Sequence, residues 1–134
     1  VLIKDNHLAL FNNDINKALF VFHPPESKYK FFEIEIDDPD KVLETASLIR
    51  EMQKNNALPD PAVIMLDNMD PDTISLSIEK LKNENIFDHI LIEASGGINE
   101  NNIENYAKTE ADLISLGSLT QNIKPIDLSL EIKI

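Results

Sequence analysis

Two hydrophobic periods take turns along this chain. Short apolar runs at residues 1–4, 31–36, 62–66, 90–93 and 113–116, with a last one near 128–132, have the length and branching of β-strands. Between them apolar residues recur at helical spacing. Val42, Ala46, Ile49 and Met52 share one face behind Asp38-Pro39, and Ile74, Ile78 and Leu81 do so behind Asp70-Pro71. In each pair the aspartate can accept from an orphan N–H of the first turn, and proline sits where no N–H is needed. A third helix is predicted to start near Asn99 and to carry Ile103, Tyr106 and Ala107, and a fourth spans residues 15–21. Residues 23–27 and 55–61, rich in proline and asparagine, are predicted surface turns.

Strand and helix in alternation predict an α/β fold of right-handed βαβ units around a parallel sheet. The strands are nearly continuous apolar runs, as expected when both sheet faces are covered. Polar residues gather where each strand gives way to its loop: Lys4-Asp5-Asn6-His7, Glu33 with Glu35, Asp67-Asn68, Glu93-Ala94-Ser95-Gly96-Gly97 and Gly117-Ser118. In a parallel barrel or open sheet those ends share one rim, where ligands bind.

Composition narrows the chemistry. The 134 residues, 43% of them hydrophobic, suffice for one domain with a core, and no repeat or linker divides them. There is no cysteine, so disulfides and thiolate chemistry are excluded. No apolar run approaches the roughly 20 residues of a membrane span, and no signal peptide is visible, which makes a cytoplasmic setting the expectation. The chain opens on Val1 inside an apolar run, so an upstream segment is also expected. The formal charge is −12, from 24 acidic against 12 basic residues, which opposes nucleic-acid binding. Arg50 is the only arginine; any anion bound here must be held by backbone N–H groups and a few lysines, or by arginines from elsewhere.

Each rim residue has a bland reading beside its chemical one. Glu33 and Glu35 are two apart on one strand and share a side; they either meet a metal, a cation or ligand hydroxyls, or form a solvated pair on an edge strand. Asp67 can hold a ligand hydroxyl or Mg2+, or bond its own backbone in a turn. Ser95-Gly96-Gly97 can bring backbone N–H groups and a helix N-terminus to a phosphate, although a tight strand–helix turn also wants glycine. Gly117-Ser118 strengthens the phosphate reading, since late loops of barrels often share one phosphate. Lys4 can pair with an anionic substrate or simply be a surface lysine. His7, His23 and His89 lack metal-ligand spacing, and no nucleophile elbow supports a Ser95–His7–Asp67 triad.

Taken in order, these segments resemble the quinolinate phosphoribosyltransferase family across nearly the whole chain. The matching stretches are Leu2-Ile3-Lys4-Asp5-Asn6-His7, Glu33-Ile34-Glu35-Ile36 and Ile64-Met65-Leu66-Asp67-Asn68-Met69. They continue with Glu93-Ala94-Ser95-Gly96-Gly97-Ile98, the run from Asp112 to Thr120, and Asp127-Leu128-Ser129-Leu130. The resemblance implies a partial, incomplete TIM-like α/β barrel: the C-terminal portion of a longer enzyme, with the N-terminal domain and the first part of the barrel absent. It implies phosphoribosyl transfer from phosphoribosyl pyrophosphate to quinolinate with Mg2+ and decarboxylation, giving nicotinate mononucleotide for NAD synthesis. Lys4 would meet a quinolinate carboxylate; Glu35 and Asp67 would hold the ribose hydroxyls and the magnesium–pyrophosphate end of the donor. Ser95, Gly96, Gly97, Gly117 and Ser118 would surround the donor's 5′-phosphate. A homodimer or higher homo-oligomer is implied for the full-length enzyme.

The chain departs from the family in three ways. Residues 42–61 are longer than the usual connection, Glu110 stands where the family has glycine, and the arginines and histidine that clamp quinolinate lie upstream of the Lys4 motif. The 134 residues alone are therefore expected to be inactive. Competing readings are a phosphoribosyltransferase for nicotinate or another acceptor, a phosphate-binding isomerase or Schiff-base aldolase using Lys4, and a non-catalytic or split subunit whose open strand edges demand a partner.

Overall fold

A computed structural model describes residues 1–22, 31–58, 62–121 and 130. Among these residues five strands, β1 (Leu2–Ile3), β2 (Phe32–Ile36), β3 (Ala62–Asp67), β4 (Leu91–Ser95) and β5 (Leu113–Ile114), form one sheet. Every pairing is parallel and the spatial order follows the chain. Sequential order, with the right-handed crossovers that parallel βαβ units as a rule take, puts the helices on one side and leaves the other face free to line a barrel interior. β2 is an inner strand, which overturns the edge-strand reading of Glu33 and Glu35. The predicted strand near 128–132, the turn at 23–27 and residues 59–61 lie outside the described residues.

The helices are α1 (Asp5–Ala9), α2 (Ile15–Phe22), α3 (Val42–Lys54), α4 (Pro71–Asn83), α5 (Ile103–Tyr106) and α6 (Ser118–Gln121). Asp70 caps α4 as its sequence predicts, accepting from Thr73 N–H at 2.9 Å and from the Thr73 hydroxyl at 3.0 Å. Asp38-Pro39 instead opens a single 3-10 turn, Pro39–Lys41, with α3 following at once. Asp38 caps this turn as its sequence predicts, accepting from Asp40 N–H at 3.0 Å, but Lys41 N–H donates to the Asp38 carbonyl only three residues back, also at 3.0 Å, which makes the turn 3-10. α1 and α6 are absent from the sequence reading. Each has only four or five residues, too few for an apolar period to announce it.

The core lies between sheet and helices. Ile34, Ile64, Leu66 and Ile92 from the strands meet Ala46, Ile49, Ile74 and Leu81 from α3 and α4, all fully buried. Side chains of a strand alternate faces, so Glu33 and Glu35, Met65 and Asp67, and Glu93 and Ser95 fall on the opposite surface. Tyr106 docks α5 by donating its hydroxyl to the Met69 carbonyl at 3.2 Å. Asp112 ties β5 to β4 twice: its carboxylate accepts from Ile92 N–H at 2.8 Å, and its own N–H donates to the Ile92 carbonyl at 2.9 Å.

Both long helices end on an asparagine in the left-handed region, Asn56 (φ 56°) after α3 and Asn85 (φ 56°) after α4. In each case the next residue's N–H reaches back five positions, Ala57 to Met52 at 2.8 Å and Ile86 to Leu81 at 3.0 Å. That is the helix stop usually given to glycine.

Candidate functional site

The rim predicted from the sequence exists. Lys4 leaves β1 and sets its Nζ 3.4 Å from Glu35 Oε2; half of the lysine side chain is exposed, but only 11% of the glutamate's. An ion pair of this kind differs from the apolar pocket that activates a Schiff-base amine. Asp67 closes β3 and is paired in register with Ser95 at the end of β4. Its Oδ2 accepts from the Asn68 side-chain amide at 2.5 Å. The site thus joins Lys4, Glu35, Asp67 and Ser95 from four strands, with Gly117 and Ser118 following the fifth.

Register orders this face in rungs. Glu35, Met65, Glu93 and Leu113 form one; Asp67 and Ser95 stand above it, and Glu33, Val63 and Leu91 below. Glu93 has no role in the sequence reading, although its place two residues before Ser95 puts it on the same side. It is buried, and the Ser115 hydroxyl donates to its carboxylate. Glu33 has its pKa raised, first by burial, then by the negative charge of Glu93 and a hydrogen bond to it. Three carboxylates on adjoining rungs, with Asp67 above, make this surface strongly negative around one lysine.

A cleft of about 450 Å3 opens beside Glu35, lined by Asp5, Asn13, Asp37, Asp38 and Lys41. Among the described residues no group of three acidic or histidine side chains is placed to hold a metal ion alone. Glu35 and Asp67 still suit Mg2+, which commonly takes one or two carboxylates and completes its shell with substrate phosphate oxygens and water. An anionic donor could approach so many carboxylates only with cations to offset them.

The chain has three glycines, Gly96, Gly97 and Gly117, and all lie in the two loops proposed for phosphate. Gly96 and Gly97 have φ of 91° and 65°. Other left-handed positions, at Asn12, Asn13, Asn56, Asn68, Asn85 and Glu110, use residues that carry side chains. The helix after this loop starts later than predicted: residues 100–102 form turns and α5 begins at Ile103, so the loop's own N–H groups, not a helix end, adjoin Ser95. On the neighbouring loop Ser118 Oγ is buried and finds no hydrogen-bond partner among the described residues. His7 is structural: its Nδ1 accepts from Lys4 N–H at 2.9 Å and its ring stands edge-on to Phe22.

Residues 1–131 match the family model described as quinolinate phosphoribosyl transferase, C-terminal domain. Probable carboxylating nicotinate-nucleotide pyrophosphorylases of Methanothermobacter thermautotrophicus and Methanocaldococcus jannaschii are each 37% identical over 98% of the chain. The chain spans 43% of the length of each. Among solved structures, NadC from Streptococcus pyogenes superposes with a TM-score of 0.75 at 27% identity, over 98% of this chain and 40% of that one. The nicotinate-nucleotide pyrophosphorylase from Francisella tularensis gives 0.70 at 29% identity, over 96% and 38%. The partial-barrel expectation agrees with both.

Proposed function

The chain belongs to the quinolinate phosphoribosyl transferase family, matching its C-terminal domain, and from there we propose that it forms the donor-holding part of such an enzyme. The reaction joins quinolinate to phosphoribosyl pyrophosphate, releases pyrophosphate and CO2, and leaves nicotinate mononucleotide. One observation carries this reading: five parallel strands bring Lys4, Glu35, Asp67, Ser95 and Gly117–Ser118 to one rim, carboxylates towards β2 and β3 and glycine loops after β4 and β5.

In this reading the amides of Gly96, Gly97 and Gly117, with the hydroxyls of Ser95 and Ser118, receive the donor's 5′-phosphate. Ser118 Oγ, buried and without a hydrogen-bond partner among the described residues, supports the assignment. Glu35 and Asp67 hold the ribose hydroxyls and orient the anomeric carbon. Their charge also favours the positive ribosyl centre that develops as pyrophosphate leaves. Mg2+, bound with the donor, would neutralise the departing pyrophosphate. Lys4 exchanges Glu35 for a carboxylate of the acceptor. Nothing here requires a strong nucleophile; fixed charge and alignment supply the acceleration.

The acceptor's other contacts fall to parts of the enzyme beyond these residues, so the isolated chain binds donor without turnover. Leu2 and Leu113, 38% and 43% exposed at the two sheet edges, are to be covered by further strands of a barrel, within a homodimer or larger assembly. No described helix is long and apolar enough to cross a membrane; the working location we assign is the cytoplasm, with no role for nucleic acid.

The test is product formation by the full-length polypeptide given the donor, Mg2+ and quinolinate labelled in its 2-carboxylate. Labelled CO2 and pyrophosphate in equal amounts are expected. Equal turnover of nicotinate would reassign the acceptor, and failure to bind the donor would overturn the proposal.

A further inference from the structure

One residue touches both halves of the rim. Asn68 follows β3 directly and has φ of 55°, a conformation asparagine tolerates better than most side chains. Its N–H donates to the Ser95 carbonyl at 2.9 Å, carrying the β3–β4 contact past the last register pair. Its side-chain Nδ2 donates to Asp67 Oδ2 at 2.5 Å. The remainder of the same amide lies against the glycine loop. A Cβ built on Gly96 would stand 2.5 Å from Asn68 N and 2.7 Å from Asn68 Cγ, with Oδ1 nearer still.

We propose that Asn68 is a positioning residue that couples the Asp67 carboxylate to the Ser95–Gly97 loop, holding the two ends of one donor molecule in fixed relation. The proposal rests on the donor reading given above. Residue 96 must then be glycine because Asn68 occupies the space of its side chain. Gly97, with nothing within 4 Å of its own Cβ position, is the position open to a ligand. Rotation of Asp67 and displacement of the loop are no longer independent, since one side-chain amide opposes both.

The discriminating variant is N68G in the full-length protein. Glycine takes the same φ without steric cost, so the turn survives and only the amide is lost. Expected are an unchanged thermal midpoint, a donor KM raised about tenfold or more, as for residues that orient a ligand-holding side chain, and an acceptor KM left as it was. A merely structural Asn68 would lower the midpoint and move both constants. N68D is the second variant: it keeps the shape and the tolerance for this φ but has no N–H to give Asp67, and it should lose at least as much donor affinity at neutral pH. In the Asn68 background D67N and S95A should be non-multiplicative in donor KM by about fivefold or more, and in the N68G background multiplicative within about twofold. A normal donor KM in both Asn68 variants, or an unaltered D67N–S95A coupling, overturns the role of Asn68 while leaving the donor reading intact. Absence of donor binding by the unsubstituted protein overturns both.

Discussion

Glu33 and Glu93 meet on the inner face of the sheet across the width of β3, and burial together with the charge of Glu93 raises the pKa of Glu33. Between its ordinary value and its folded value, the folded protein keeps a proton that the unfolded chain has lost. The associated stabilisation is complete below the ordinary carboxylate range and is lost as pH rises through the folded value. E33Q removes that loss and can still donate to Glu93. Its thermal midpoint should exceed that of the parent near about pH 8, and the gap should close towards about pH 4. A constant difference across that range would show that Glu33 is not the titrating group.

Gly96 and Gly97 are adjacent, both with positive φ, yet their substitution by alanine should differ sharply. G97A meets open space and bears only backbone strain, of about 1–2 kcal/mol. G96A adds a collision with the Asn68 backbone, which cannot swing aside. Chemical denaturation should rank the parent above G97A and G97A well above G96A. Near-equal losses would mean that the loop rearranges freely around Asn68.

Glu110 has φ of 67° and pairs with Lys82 at 2.6 Å across a largely exposed surface. Such a pair contributes about 0–1 kcal/mol, whereas a left-handed conformation costs a residue with a side chain about 1–2 kcal/mol. E110G should therefore be neutral to stabilising, by up to about 1 kcal/mol in urea unfolding. A destabilised variant would make the ion pair the stronger partner.

Lys4 and Asp67 stand on one rim, after β1 and at the end of β3, but serve different substrates in the proposed reaction. K4A should raise the acceptor KM, and D67N the donor KM, each by about 10- to 100-fold from loss of a charge-assisted contact. Steady-state kinetics with one substrate saturating separates the two. Identical effects on both constants would mean that these residues share one subsite.

The strands and the two long helices were legible because their apolar periods are unbroken and Asp70-Pro71 announces its own cap. The rim was legible too, since Glu35, Asp67 and Ser95 each end a readable strand. Asn68 and Ser115 were not assigned, because their importance lies in contacts between strands, which no local period encodes. Glu93 was recoverable from the alternation that identified Glu33 with Glu35. The late start of α5 was hidden by Asn99 and Asn102, whose side chains bond nearby N–H groups and hold turns where a helix was expected.

Sheet order that repeats chain order has a consequence for how this protein is made. Each of the described strands after β1 pairs with the strand synthesised just before it, so none of these pairings has to wait for a distant segment to leave the ribosome. The nascent sheet can grow by accretion, one βα unit at a time, while the outer edge of β1 stays open alongside the growing border.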